Sequence, residues 1–115
     1  MEAHEQADYR ARLEDLAATL RRQLAESRES AAPVAPDRAI GRVTRQEALQ
    51  AQQMALEIRR RAQQQLQRIE HALALIRQDR YGRCARCGET IARARLDVAP
   101  DTFLCVPCID RLRTS

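Results

Sequence analysis

The chain has 115 residues, a formal net charge of +4 and an aromatic content of only 3%. So few large side chains make a conventional globular core hard to fill, whereas abundant Ala, Leu, Gln, Arg and Glu are typical of long helices and coiled coils. No apolar run is long enough to cross a bilayer. The basic residues are interspersed with acidic ones, which favours a solvated mixed-charge surface over a nucleic-acid patch.

The first residues of the chain lack the basic and apolar regions of a signal peptide. We therefore expect a cytoplasmic protein, because nothing in the sequence directs it elsewhere. Cysteines stay reduced in that compartment. Four cysteines in two close pairs then indicate a metal site rather than disulfides.

Residues 4–29 predict one amphipathic helix. Its apolar side chains recur at steps of three or four residues, which places them on one face: Tyr9, Leu13, Leu16, Leu20 and Leu24. Residues 30–36 break this helix, because Pro33 and Pro36 each remove an amide donor and restrict the preceding residue. This segment is typical of the turn of a hairpin.

A second, longer helix is predicted to run to about Arg80. Asp37 could cap its start, but Thr44 with Glu47 forms the better capping box. Its apolar stripe consists of Ala51, Met54, Ala55, Ile58, Ala62, Leu66, Ile69, Leu73 and Ile76. Because two stripes separated by a short turn must bury each other, the sequence predicts an antiparallel coiled-coil hairpin over residues 1–80, with its tip near residues 30–44.

Residues 81–115 form a separate module with two Cys-x-x-Cys pairs, seventeen residues apart. Four thiolates suit a tetrahedral zinc ion, at roughly 2.3 Å each. Gly88 follows the second cysteine and can adopt the positive φ that a tight zinc knuckle needs. The predicted ligands of one structural zinc ion are Cys84, Cys87, Cys105 and Cys108.

Three other uses of four cysteines are less well supported. An iron–sulfur cluster usually has other cysteine spacings. A redox Cys-x-x-Cys pair belongs in a thioredoxin-like βαβ context, which is absent from this sequence. Catalytic zinc keeps an open coordination position, which four thiolates would fill.

Nine apolar or aromatic side chains of the module are expected to form a small core against the metal. They are Tyr81, Ile91, Leu96, Val98, Phe103, Leu104, Val106, Ile109 and Leu112. Residues 108–113 predict a short terminal helix. The predicted fold is therefore mainly α, a coiled-coil hairpin followed by a small four-cysteine zinc module.

This arrangement resembles the DksA/TraR family of bacterial transcription factors. The resemblance is carried mainly by Tyr81-Gly82-Arg83-Cys84-x-x-Cys87-Gly88-x-x-Ile91, Arg95-Leu96, Pro100 and Cys105-x-x-Cys108. It also includes Arg68-Ile69-Glu70 of the second helix. About two-thirds of the chain is covered, and the first helix is similar to the family in type alone.

The resemblance implies a partner that composition does not show. Family members bind RNA polymerase directly, without contacting a specific DNA sequence. Their hairpin enters the secondary channel and its tip approaches the active site, while the zinc module stays at the channel rim. Some members act together with the alarmone guanosine tetraphosphate.

The resemblance also implies particular site residues. The family tip has two acidic residues and an alanine, and Asp37-Arg38-Ala39 matches its second half. Asp37 and Ala39 are therefore the implied tip residues, while Glu47 with Ala48 is a weaker candidate. Three basic positions of the family are associated with the alarmone. One of them falls on Arg68 and keeps its charge, whereas the other two fall on Ala99 and Ile109, which are uncharged. Weak synergy with the alarmone is therefore expected.

Three functions remain open. The leading one is a non-enzymatic transcription regulator that binds RNA polymerase. The Arg-rich zinc module allows a DNA-binding zinc finger, although no recognition-helix pattern appears after residue 107. The third is a structural coiled-coil adaptor. An enzyme has little support, because the sequence shows no catalytic set of side chains and no phosphate-binding loop.

Overall fold

The computed structural model describes residues 1–28 and 42–114, apart from the side chains at positions 42 and 43. The predicted tip residues Asp37 and Ala39 lie outside this part of the chain. Its helices are α1 (Ala3–Glu26), α2 (Arg42–Arg77), α3 (Arg93–Val98) and α4 (Val106–Thr114). The prediction of a mainly helical fold with two long helices and a four-cysteine module is confirmed.

The helix ends differ from the predicted ones by a few residues. Helix α2 begins at position 42, so Thr44 lies inside its first turn rather than at its cap. At the other end, Asp79 has a φ of 57°. The N–H groups of Asp79 and Arg80 donate to the carbonyl oxygens of Ile76 and Leu75 at 3.1 and 2.8 Å. This left-handed cap ends α2 before residue 80.

Met1–Ala18 and Gln67–Ser115 form one compact unit. Within it, the side chain of Gln6, near the start of α1, donates to Asp79 Oδ1, just beyond the end of α2, at 2.9 Å. The two helices are therefore antiparallel. Their buried side chains are Tyr9, Leu13 and Ala17 from α1 and Ile69, Ala72, Leu75 and Ile76 from α2.

Thr19–Leu66 form the second compact unit. The end of α1 carries no basic residue in its last turn. The guanidinium group of Arg59 in α2 donates instead to the carbonyl oxygen of Leu24 and, at 2.8 Å, to Ser27 Oγ. A cation at the carboxyl end of a helix is favourable, because it meets the unpaired carbonyls and the negative end of the helix dipole.

The described apolar surface of this second unit is mostly uncovered. Leu20 is buried, but four large apolar side chains of α2 in this unit are exposed: Leu49, Met54, Leu56 and Ile58. Ala51, Met54 and Ile58 were predicted to be buried in the hairpin seam, and that prediction is wrong at these three positions. No helix in residues 1–28 and 42–114 is long and apolar enough to cross a membrane.

Candidate metal centre

The first cysteine pair lies in a tight knuckle. The N–H group of Gly88 donates to the carbonyl oxygen of Cys84 at 2.9 Å. The N–H group of Cys84 donates to the carbonyl oxygen of Glu89 at 2.8 Å. An antiparallel bridge pairs Arg83 with Thr90 beyond the turn. Gly88 has a φ of 79°, which confirms the predicted positive φ. The turn brings Cys84 and Cys87 to the same side of the knuckle.

The second pair lies at the start of α4. Cys105 directly precedes the helix and Cys108 lies in its first turn. The carbonyl oxygen of Cys105 accepts the N–H of Ile109 at 3.0 Å. The N–H of Ala85, within the knuckle, donates to the carbonyl oxygen of Phe103 at 2.8 Å. This last bond joins the segment before Cys105 to the knuckle.

The four sulfur atoms converge on one point. All lie within 4.8 Å of one another, and the Sγ atoms of Cys87 and Cys105 are 3.6 Å apart. A tetrahedron with Zn–S bonds of about 2.3 Å has edges of about 3.8 Å. The spacing and the donor set therefore fit one zinc ion, which Cys84, Cys87, Cys105 and Cys108 would hold. Four thiolates leave no open position, so the site is structural.

The ionisation of the thiols shows why a cation belongs here. Burial opposes ionisation of Cys84, but N–H groups of residues 105, 87 and 86 donate to its sulfur and hold its pKa at about 5. The hydrogen bond to Cys105, together with burial, raises the pKa of Cys108 to about 12. Four crowded thiols cannot all ionise beside one another without a positive charge. A bound zinc ion would supply that charge.

The residues around the sulfurs form a smaller core than the sequence predicted. Ile91 and Leu96 are fully buried, and Tyr81 is nearly so. Val98 is 86% exposed, and Val106 and Leu112 are also exposed, so the prediction that they join the core is wrong. Residues two apart on a helix point to nearly opposite sides, so burial of Leu96 turns Val98 outward.

Comparison with known proteins agrees with this geometry. The sequence pattern of the prokaryotic DksA/TraR C4-type zinc finger matches residues 79–112. This part of the chain is similar to the DksA/TraR zinc finger. The family resemblance and the single structural zinc site are thereby confirmed.

A solved structure resembles more of the chain than the zinc finger alone. Transcription factor DksA2 from Pseudomonas aeruginosa has the same fold with a TM-score of 0.78, over 99% of this chain and 87% of that one. The two sequences are 23% identical, so this likeness establishes the fold alone. No curated protein sequence matches the chain.

The zinc finger is held by α1 through contacts that the sequence did not reveal. Tyr9 and Arg12 of α1 contact Asp97 of α3, and Glu5 pairs with Arg93. The rings of Tyr9 and Tyr81 lie 5.5 Å apart between centroids. These contacts join residues more than seventy positions apart. Neither helical periodicity nor cysteine spacing carries a signal for such pairs.

Arg68, the predicted alarmone contact, lies at a cavity of about 400 Å³ beside the zinc finger. Its Nε donates to Asp101 Oδ2 at 3.1 Å, and Asp101 is buried. Ile109 lines the same cavity, whereas Ala99 does not. Arg95 and Arg113 also line it. The family resemblance did not assign these two arginines to the alarmone, because they do not fall on its basic alarmone positions.

Proposed function

We propose that the chain regulates transcription, without catalysing a reaction, by binding RNA polymerase at its secondary channel. The observation that carries the proposal is the DksA/TraR zinc finger on a chain that shares the DksA2 fold over nearly its whole length. In this proposal Cys84, Cys87, Cys105 and Cys108 are zinc ligands, and residues near Asp37 and Ala39 form the tip. RNA polymerase as the partner also implies a cytoplasmic protein.

The surface of residues 19–28 and 42–66 supports a protein partner. These residues include eight arginines and three glutamates, a net charge of +5, whereas the whole chain carries +4. The positive charge is therefore concentrated here, which suits a partner surface that carries acidic residues. The same segment exposes Met54 and Ile58. Apolar groups can be buried against a protein surface but gain little on a phosphate backbone.

Direct binding to purified core RNA polymerase without DNA tests the proposal. A photo-crosslinking amino acid at Gln53, an exposed position of α2, should crosslink to polymerase residues that line the channel. The same amino acid at Glu89, an exposed position of the zinc finger, should crosslink to the channel rim instead. A chain that fails to bind core polymerase, or that crosslinks elsewhere from Gln53, would contradict the proposal.

The two alternative functions give different results in the same assays. A DNA-binding zinc finger would bind duplex DNA in the absence of polymerase, and its affinity would fall steeply with salt. Exposed Arg111 in α4 would be the first residue to replace in that case. A structural adaptor would bind neither partner. Binding to polymerase without binding to duplex DNA distinguishes our proposal from both alternative functions.

We also propose that guanosine tetraphosphate contributes weakly. A tetraphosphorylated nucleotide needs several cationic partners. Arg68 is already engaged by Asp101, and the positions that carry further charge in the family are Ala99 and Ile109. Arg95 and Arg113 are the remaining cations at the cavity. Strong synergy in a purified transcription assay, lost on Arg68→Ala, would overturn this part of the proposal.

A further inference from the structure

A groove on the zinc finger lies between α3 and the start of α4. Its volume is about 560 Å³, and seven of its lining residues are apolar: Ile91, Ala92, Ala94, Val98, Ala99, Val106 and Pro107. Ligand pockets span roughly 300–1,000 Å³, so the groove has room for more than one side chain. It lies wholly within the compact unit that contains the zinc finger.

The groove exposes apolar surface that the finger's own core does not use. Val98 and Val106 are 86% and 49% exposed, while Leu96, on the opposite side of α3, is fully buried. Burial of Leu96 fixes the orientation of α3, so Val98 is held outward by the fold. Val98 is therefore presented to solvent on a fixed helix, and Val106 is exposed beside it at the start of α4.

Arg95, which also lines the cavity beside Arg68, is the one basic residue among those that line this groove, and the zinc ligand Cys105 lies at the groove as well. Its Nε is buried and has no hydrogen-bond partner in the part of the chain that the structure describes. A buried guanidinium N–H without an acceptor is unfavourable, because it has lost water and gained nothing in return. A carboxylate is the acceptor that matches a guanidinium group best.

We propose that the groove docks a segment of a partner protein that presents an aliphatic side chain beside a carboxylate. The apolar lining would bury the aliphatic group, and Arg95 would receive the carboxylate. Nucleic acids and anionic membranes both draw on several cations, and the groove supplies one. This inference concerns a surface separate from the hairpin and does not depend on the polymerase proposal.

Peptide titration of the zinc-loaded, full-length, isotope-labelled chain tests this by NMR. The probe is the capped peptide acetyl-Ala-Leu-Glu-Leu-Ala-amide, and its matched control replaces Glu with Gln. The Glu peptide should produce saturable shifts at the amides of Ile91, Val98 and Val106. The Gln peptide should bind about tenfold more weakly, because it cannot form the charge-assisted hydrogen bond.

Two variants locate the binding site. Val98→Ser removes exposed apolar surface without touching the buried core, and Arg95→Gln removes the cation. Each should weaken the Glu peptide about tenfold, and Arg95→Gln should also abolish the difference between the two peptides. Matched substitutions outside the groove, Met54→Ser and Arg111→Gln, should leave binding unchanged. Equal zinc content confirms that each variant is folded.

Several outcomes would overturn the proposal. One is the absence of saturable shifts at millimolar peptide, and another is equal binding of the Glu and Gln peptides. Acetate alone, or inorganic pyrophosphate, could instead produce the same shifts with equal or higher affinity. The groove would then be an anion site rather than a docking surface for a protein segment.

Discussion

The hydroxyl group of Tyr9 donates a 2.5 Å hydrogen bond to Oδ1 of Asp97, 88 residues further along the chain. Arg12 lies one turn later on α1, and its Nη2 donates to the backbone carbonyl oxygen of Asp97 at 2.5 Å. Two turns of α1 therefore hold α3, which has only six residues. A helix this short is not stable in isolation, so α3 depends on such contacts.

Removal of the Tyr9 hydroxyl should destabilise the folded chain. Tyr9→Phe keeps the buried ring and its contact with Tyr81 but loses the hydrogen bond to Asp97. We expect the free energy of unfolding to fall by about 1 kcal/mol, measured by chemical denaturation of the zinc-loaded chain. Asp97→Asn keeps an acceptor for Tyr9 and should lower the free energy of unfolding by less than Tyr9→Phe does. An unchanged free energy of unfolding in Tyr9→Phe would show that this hydrogen bond does not hold α3.

The two tyrosines should make the fold sensitive to high pH. The hydrogen bond to Asp97 raises the pKa of Tyr9, and burial raises the pKa of Tyr81. A raised pKa means that folding favours the protonated form. The stabilisation is complete below about pH 10, where unfolded tyrosine is also protonated, and is lost as pH rises further.

This pH dependence is measurable in a single variant. The hydroxyl group of Tyr81 donates to the carbonyl oxygen of Pro100 at 2.8 Å. Tyr81→Phe removes both that bond and the titrating group. We expect the variant to be less stable than the parent at neutral pH but to lose stability less steeply above about pH 10. Parallel pH profiles for the two proteins would contradict the prediction.

Gly88 should be required for its backbone conformation and not for space. It has a φ of 79°, and a Cβ atom added there would meet nothing within 4 Å. Gly88→Ala should therefore cost about 1–2 kcal/mol, the penalty of a left-handed conformation. Zinc affinity should fall correspondingly, as measured by competition with a chelator.

Gly82 provides the comparison for this prediction. It also has positive φ, at 88°, but an added Cβ would lie 3.0 Å from the flexible end of Met1. Gly82→Ala should therefore show the same backbone cost plus a small steric cost that Met1 relieves by moving. If Gly88→Ala leaves the free energy of unfolding and the zinc affinity unchanged, the knuckle tolerates a different backbone conformation.

The parts of the fold that follow local rules were predictable from the sequence. The cysteine spacing predicted the cluster of four cysteines, and helical periodicity predicted both long helices. Helix α3 was missed, because six residues are too few to show a period. The hydrogen bond between Tyr9 and Asp97 was missed for another reason. It depends on how distant segments pack, and neither residue belongs to a recognisable motif.

Loss of one zinc ligand should affect α1 as well as the zinc finger. Cys87→Ser should abolish stoichiometric zinc binding and unfold the finger, since zinc contributes about 10–16 kcal/mol of apparent binding energy in zinc-finger peptides. Amide hydrogen exchange should then also rise in the first turns of α1, because Gln6 and Tyr9 lose their partners. Elemental analysis and hydrogen exchange measure the two effects.

The matched control is Ala85→Ser, which introduces the same side chain at an exposed position of the same knuckle. It should retain one zinc ion per chain and the parental exchange rates. Full zinc content in Cys87→Ser, or iron in place of zinc in the parent, would contradict the assignment of the site. Unchanged exchange in α1 of zinc-free Cys87→Ser would show that α1 folds without the finger.

The proposed tip residue Asp37 can be tested without a structural description of its surroundings. It is the one acidic residue in the sequence between Ser30 and Thr44. If its charge acts near the catalytic centre of RNA polymerase, Asp37→Asn should bind polymerase normally but lose its effect on transcription. The test is selective, because Asn caps a helix about as well as Asp and leaves any capping contribution of about 0.5–2 kcal/mol in place.

A purely structural role for Asp37 gives the opposite result. Asp37→Asn would then match the parent in both polymerase binding and transcription, whereas Asp37→Ala would lower the free energy of unfolding by removing the cap. That pair of results would remove Asp37 from the proposed tip. Glu47 would be tested next, because it is exposed in the first turns of α2 and is followed by an alanine, as in the weaker match to the family tip. Loss of transcriptional effect in Glu47→Gln, with binding retained, would place the active charge on α2.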